Sequence, residues 1–524
     1  MDFGEAPFSK IFLGSLALSP ALVGLDSKPK VVGSFLGLSF SGVCAWLVWK
    51  ILLYPHFFSP FRDVPTPPGA SKWNGHNDVL NGKKYYIRMF REWFNTIPNE
   101  GLIRFMNPLN QERLLITSPE ALHEMQVTRS YDFEKPEVIR YSLGRILGDG
   151  LLVAEGQSHK FQRRALAPGF TTKQIRRLYP KFWKKGLECA KAMAAEANEP
   201  VDIGDWTSRI TLDIVGTASL GRDFQSIQNP DNTLTTAYKR IFAPDENRHW
   251  LNLATMLLPR WTIPHLPLSS NRILIRNTGD IRESSRDLIR SKREALEQGE
   301  EPQTDVLEVM TFLAAGHETT AATLTWTVYV LSKHQDIQAK LREEIRSAIP
   351  SSETAGELTS EVFEGMTYLQ AFISELLRYY PAVPHLVREA VVDTTLVGRH
   401  IPKGTRFIVS PGAICYSTEI WGPDAGDFKP ERWLKDSELG TAANGGASSK
   451  YGFITFLHGH RGCIGQGFTR GEMACILAAW VGKLQFELHD KADEDEWSIK
   501  LKKGGITYHP ASGPMIDVKV LEGW

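Results

Sequence analysis

The longest unbroken apolar run lies near the start of the chain. Val31 to Trp49 is 19 residues without a charge, followed by Lys50 and then by apolar Ile51 to Tyr54. About 20 apolar residues in a helix cross the hydrocarbon core of a bilayer, so residues 31–54 predict a single transmembrane anchor. Trp46, Trp49 and Tyr54 suit its interface. The run lies too far from Met1, and is too long, for the apolar part of a cleaved signal peptide. Within residues 1–30, the stretch Ile11 to Leu25 is shorter and carries Pro20. It predicts an interfacial or re-entrant segment. Pro55, Pro60, Pro65, Pro67 and Pro68 come next. Prolines fix φ and stiffen the chain, so 55–70 reads as a rigid hinge between anchor and body.

Residues 71–524 form one body without repeats or a long linker. Arg282 to Gln298 is polar and charged and ends at Gly299. Val306 to Ser332 carries only Glu308 and Glu318 as formal charges, and a helix apolar nearly all round is buried at the centre of a protein. Leu369, Phe372, Ile373 and Leu376 share one helical face, and Pro381 stops that helix. Strand-like runs follow at Thr405 to Val409 and Met515 to Val520. The pattern predicts a mainly α fold with small β-sheets. The tract 440–449 is a surface loop by composition.

Composition narrows the function classes. Lys+Arg equals Asp+Glu at 60 each, so no dominant electrostatic partner such as nucleic acid is indicated. The five cysteines, Cys44, Cys189, Cys415, Cys463 and Cys475, are odd in number, widely spaced and free of CxxC pairs. That argues against a disulfide framework or a structural zinc site.

The densest chemistry is at Phe456-Leu457-His458-Gly459-His460-Arg461-Gly462-Cys463-Ile464-Gly465, ahead of a helical pattern from Phe468 to Gly482. A cysteine just before a helix N-terminus is favoured as thiolate, and glycines let the backbone approach a flat ligand. Arg461 offers positive charge to an anionic group. No Gly-Lys-Ser/Thr follows, which disfavours a phosphate loop. A small buried cysteine in a glycine turn is the plainer reading of Cys463 alone.

The spacing Phe456-x-x-Gly459-x-Arg461-x-Cys463-x-Gly465 resembles the haem-binding loop of cytochromes P450. The resemblance implies a P450 fold, heme b, and Cys463 as the thiolate ligand of its iron. It extends in order along nearly the whole chain from about residue 70. Ala315-Gly316-His317-Glu318-Thr319-Thr320 resembles the oxygen-binding segment of the family's helix I, which makes Glu318 and Thr319 the proton-relay pair. A zinc H-E-x-x-H reading fails because residue 321 is Ala. Glu375-Leu376-Leu377-Arg378 resembles the helix K motif, and Phe428 to Trp433 the P-E-R-F segment with Trp433 in place of Phe. Arg432 would then join Glu375 and Arg378 in a buried charge triad. His159 to Arg164 resembles the helix C segment, implying that His159 and Arg163, with Arg388 and Arg461, meet the haem propionates. Tyr131 to Pro136 and Leu151 to Gly156 resemble fungal members.

The activity so implied is a membrane monooxygenase that inserts one atom of O2 into a lipophilic substrate, in fungal secondary metabolism such as terpenoid or polyketide tailoring. The chain has no GxGxxG fingerprint, so electrons would come from a separate NADPH–cytochrome P450 reductase, with Lys160 and Arg164 as docking charges. The implied location is the endoplasmic reticulum membrane, single-pass, with the body cytosolic. The alternatives are a P450-fold isomerase or peroxide-using enzyme, and a non-catalytic haem-binding protein. Expected pocket walls are Pro136 to Gly150, Phe312, Ala315, Ala382 to Val387 and Gly505 to Tyr508. One departure from the family is the short stretch Glu300 to Ala314, only 15 residues. Pro302 and the Asp305/Glu308 capping box predict that the central helix starts near Asp305. Either a true deletion or lost coding sequence joining near Leu307-Glu308 would account for it.

Overall fold

The computed structural model describes residues 8–23, 28–80, 86–242, 250–251, 254–255, 258–297, 309–352, 358–434, 444–490, 507–508, 510 and 514–524. The expected helix start near Asp305 and the join near Leu307 lie outside the described residues, as do residues 440–443 of the surface loop and Gly505 and Ile506 of the pocket wall.

Ten of the helices among the described residues organise the chain. They are α1 (Phe8–Val23), α2 (Lys28–Val48), α3 (Gly156–Leu166), α4 (Tyr179–Ala195), α5 (Ile203–Val215), α6 (Ser269–Glu297), α7 (Val309–Lys333), α8 (Gln335–Ala348), α9 (Thr367–Tyr379) and α10 (Gln466–Lys483). Among the described residues, ten short strands form three sheets. The largest has the order β1 (Leu102–Asn107), β2 (Gln111–Ile116), β8 (Arg406–Val409), β5 (Leu386–Ala390), β3 (Phe133–Glu134). The second runs β4 (Val201–Asp202), β10 (Met515–Val520), β9 (Leu484–Leu488), and β6 (Thr394–Leu396) pairs with β7 (Arg399–Ile401). The fold is therefore mainly α with small sheets.

The elements follow from the pattern. Leu369, Phe372, Ile373 and Leu376 all show 0% exposure, so the predicted face of α9 is core. From Leu313 on, α7 is almost wholly buried, and Trp326 at its centre stacks on Tyr380 with ring centroids 4.4 Å apart. Helices α7 and α5 cross closely at Gly316, where a Cβ would come 3.0 Å from Val215 Cγ2. Helices α10 and α4 cross at Gly186, where a Cβ would meet the Ala479 Cβ at 3.1 Å. Small residues at both crossings let the backbones approach.

The structure adds two details to the N-terminal region. Ile11 to Val23 is part of a regular helix, α1, which packs along α2 with Phe12 and Phe35 rings 6.4 Å apart. The apolar helix also runs past Tyr54. It continues as a π-helical segment, Trp49–Phe58, so Pro55 sits inside the helix and not in the proline-rich hinge. The wider π turn accommodates a residue that has no N–H to donate. Pro29–Phe58 is long and apolar enough to cross a membrane, and almost none of it is buried in the body.

This helix end is latched to the large sheet. Arg104 Nη2 donates to the Pro55 carbonyl, and Asn110 Nδ2 donates to the Ile51 carbonyl at 2.7 Å. Asn110 reaches it because the β1–β2 turn holds Leu109 and Asn110 at φ +60° and +52°. Asn tolerates that left-handed geometry better than most residues.

Candidate active site

The glycine loop before α10 is pinned on both sides. Cys463 N donates to the Phe456 carbonyl at 2.7 Å, and His458 N donates to Gln126 Oε1 at 2.7 Å. Gly459 sits at φ +64°, and a Cβ there would lie 2.3 Å from the Gln126 carbonyl oxygen, so no side chain fits. Cys463 is exposed, whereas Cys189, Cys415 and Cys475 are buried in the core and Cys44 is half-buried on α2. The surrounding protein pushes the Cys463 thiol above its ordinary pKa, opposed by a Gly465 backbone hydrogen bond and the Arg163 charge. Phe456 packs against the core beside Phe453.

Around this loop the structure gathers the expected basic residues. Arg163, on α3, donates to the Gly462 carbonyl at 2.5 Å and so reaches the loop itself. Arg461 forms an ion pair with Glu155, and its Nη2 is buried without a hydrogen-bond partner. Arg388, on β5, is buried and donates to the Val387 carbonyl, and burial brings its guanidinium down to about 10. His159 is buried with Nδ1 3.2 Å from the Tyr131 hydroxyl. Burial, then the Arg461 and Lys135 charges, lower its pKa to about 4, so the imidazole is neutral at physiological pH.

Two members of this cluster were not assigned from sequence. Glu155 bridges Arg461 and Lys135, the latter at 3.2 Å. The residues lie far apart in sequence, and their encounter depends on how α3 and the glycine loop pack. Two carboxylates, Glu155 and Glu134, thus face Lys135 and Arg461, and Glu155 also acts on Arg388. Excess buried positive charge with an unpartnered Nη2 calls for further anionic groups. The residues therefore fit a haem with its two propionates, for which Cys463 would be the soft ligand.

On α7, the relay candidates bond to different partners. Thr319 Oγ1 donates to the Ala315 carbonyl at 2.6 Å, and Glu318 Oε1 accepts from Thr507 Oγ1 at 2.9 Å. His317 Nε2 lies 2.9 Å from Ser208 Oγ on α5. Of the expected pocket walls, Ala382 and Tyr508 are joined, since Tyr508 N donates to the Ala382 carbonyl at 2.8 Å. Phe312 packs on Phe170 with ring centroids 5.4 Å apart. Glu472, on α10, is completely buried. Burial holds its carboxyl well above the usual range.

The charge triad is assembled in the core. Arg378 donates to Glu375 through Nε at 2.8 Å and Nη2 at 2.7 Å, and Arg432 Nε donates to the same carboxylate at 3.1 Å. Arg378 Nη1 also caps the carbonyls of Cys415 and Ala425. Burial alone would lower the Arg378 pKa, but the Glu375 charge and hydrogen bonds raise it. Trp433 adds a donor that the family's Phe lacks, with Nε1 3.0 Å from Glu375 Oε2.

Comparison with known proteins agrees with this geometry. The family model described as cytochrome P450 matches residues 101–512. Cytochrome P450 monooxygenase sphH of Aspergillus fumigatus is 39% identical over 91% of this chain and 92% of its own length. Cytochrome P450 monooxygenase buaD of Petromyces alliaceus is 36% identical over 98% of both chains. With the matched region covering the glycine loop, the buried central helix and the triad, the chain belongs to the cytochrome P450 family.

Proposed function

We propose that the chain is a membrane-anchored monooxygenase that inserts one oxygen atom of O2 into a lipophilic small molecule. NADPH supplies the electrons through a separate NADPH–cytochrome P450 reductase. Family membership supports the reaction class. The observation that carries the site is the exposed Cys463 thiol on a pinned glycine loop, beside a basic cluster in which Arg461 keeps a buried, unpartnered Nη2. Cys463 would hold heme b through its thiolate, with Arg163, Arg388, Arg461 and neutral His159 holding the propionates. When bound, the cofactor supplies the oxygen-activating electron chemistry.

The chain's own residues set the conditions. The buried apolar surface of α7 excludes water, and Gly316 and Ala315 keep side-chain bulk away from the helix face. Thr319 holds a proton at Oγ1 and Glu318 accepts one at Oε1, which makes them the proton-handling groups. The apolar walls around Phe312 and Ala382 favour a lipophilic substrate. The fungal sources of the relatives support secondary metabolism, with a terpenoid or polyketide as substrate. The apolar helix Pro29–Phe58 supports single-pass anchoring in the endoplasmic reticulum membrane, with the body in the cytosol.

Expression with a reductase, followed by product analysis, tests the reading. The reduced carbon monoxide difference spectrum should show haem in the wild type and none in Cys463→Ala, because no other soft anionic group is offered by the loop. A wild-type Soret band in the variant, or NADPH consumption that never yields an oxygenated product, would overturn it.

A further inference from the structure

A cavity of about 270 Å³ lies between the apolar helix and the large sheet. One wall is the apolar helix, through Trp46, Lys50 and Tyr54. The other walls are the β1–β2 turn and the segment leading into β8. Its charged lining comprises Lys50, Arg113, Lys403 and Arg406 against Glu112 and Glu389. Both carboxylates are already engaged, Glu389 by Arg406 at 2.5 Å and Glu112 by Arg104 at 2.6 Å. Among the described residues, Lys50, Arg113 and Lys403 have no carboxylate within ion-pair distance. Arg113 donates to the Glu112 carbonyl and to Gln111 Oε1, both at 3.1 Å, and Lys50 lies 5.5 Å from the Tyr54 ring centroid. Burial and then the neighbouring Arg406 charge lower the Arg113 pKa to about 9. The lining thus carries four cations against two carboxylates, and both carboxylates are already held by an arginine.

The level of the cavity names the anion. The uncharged run Val31–Trp49 has 19 residues. At 1.5 Å per residue that is about 28 Å, close to the thickness of a hydrocarbon core. Lys50 and Tyr54 therefore leave the core where headgroups lie, and Trp and Tyr favour that layer. The latch from Arg104 and Asn110 holds the cationic walls at the same height.

The geometry points to a seat for the headgroup phosphate of an anionic phospholipid, between the anchor helix and the β1–β2 turn. Lys50, Arg113 and Lys403 bind the phosphate oxygens, and the anchor helix leads its acyl chains into the bilayer. This rests on the membrane-anchor reading above.

The test uses the full chain in nanodiscs of phosphatidylcholine with a minor fraction of phosphatidylserine, read by native mass spectrometry. One phosphatidylserine should be retained per chain in preference to phosphatidylcholine. Arg113→Gln with Lys403→Gln should lower that retention by about tenfold, as loss of charge-assisted bonds does. Lys50→Gln, on an exposed helix position whose change leaves the body's core intact, should lower it in the same direction. Lys184→Gln, exposed on α4, should not change it. Equal retention in wild type and in the cavity variants would overturn the assignment. So would displacement of the lipid by millimolar inorganic phosphate, which would give the cavity to a soluble anion. Alkaline carbonate extraction separates the two readings. A chain washed from membranes sinks the anchor together with the lipid seat, whereas a retained chain with indifferent lipid binding sinks the seat alone.

Discussion

Replacing Trp433 by phenylalanine isolates one bond of the buried triad. Glu375 accepts five hydrogen bonds. Arg378 Nε and Trp433 Nε1 reach Oε2, while Arg378 Nη2, Lys429 N and Arg432 Nε reach Oε1. Phenylalanine keeps a ring against Phe453 and removes the indole donor. A hydrogen bond to a charged group contributes ~1.5–3 kcal/mol. Trp433 is half-buried, so water reaches the released oxygen and the lower end, about 1.5 kcal/mol, applies. The smaller ring gives up roughly 40 Å² of apolar burial, about 1 kcal/mol. The expected total is about 2.5 kcal/mol, read as a lower urea midpoint by far-UV circular dichroism. A double-mutant cycle separates the two parts. Glu375→Gln itself should cost ~3–5 kcal/mol, because it leaves buried guanidinium charge uncompensated. In that background the indole bonds to a neutral group, so the cost of Trp433→Phe should shrink by about 1 kcal/mol. An equal cost in both backgrounds would refute the argument and reduce Trp433 to a packing residue.

Other outcomes follow from single positions. Gly459→Ala places a methyl group against the Gln126 backbone and adds about 1–2 kcal/mol of left-handed strain, so haem content should collapse, and undiminished haem would contradict the pinned-loop geometry. Thr319→Ala should keep haem and substrate binding while product formed per NADPH drops; an unchanged ratio would show that the hydroxyl serves only its bond to Ala315. His159 has a folded pKa of about 4 against ~6.5 unfolded, so the unfolded state binds more protons in between, and stability falls by up to ~1.4 kcal/mol per unit as pH drops from 6.5 towards 4. His159→Gln should flatten part of that acid limb, leaving the share of His385, which burial also lowers to about 4. A slope identical to wild type would show that His159 is not held neutral.

Local periodicity made the main helices legible. The face Leu369, Phe372, Ile373, Leu376 and the apolar run of α7 state their burial in their own residues, because helical spacing and hydrophobicity act over a few turns. The glycine loop was equally readable, since its constraint is local: at Gly459 a backbone fold and a close approach coincide. Encounters that depend on packing between distant segments were not. Glu155 meets Arg461, and Glu318 meets Thr507, only once helices and sheets are docked. Trp433 looked like a substitution of one aromatic residue for another, and its role as a fifth donor to Glu375 needed the geometry of the whole triad. Pro55 looked like the start of a hinge because proline ordinarily ends a helix. The π turn and the Arg104 bond override that tendency.

The latch between the apolar helix and the β1–β2 turn has a mechanical consequence. A helix joined to a body through a loose tether transmits tension only. Here two bonds about one turn apart, at Ile51 and Pro55, fix a direction as well as a position, so the helix acts as a lever and can deliver torque. The load passes into β2, across the parallel pairing of Leu114 with Phe407 on β8, and from Phe407 across its antiparallel register to Arg388 on β5. Three hydrogen-bonded strands thus form one rigid plate with the lever at one edge and the buried Arg388 near the other. Tilting the helix tilts that plate.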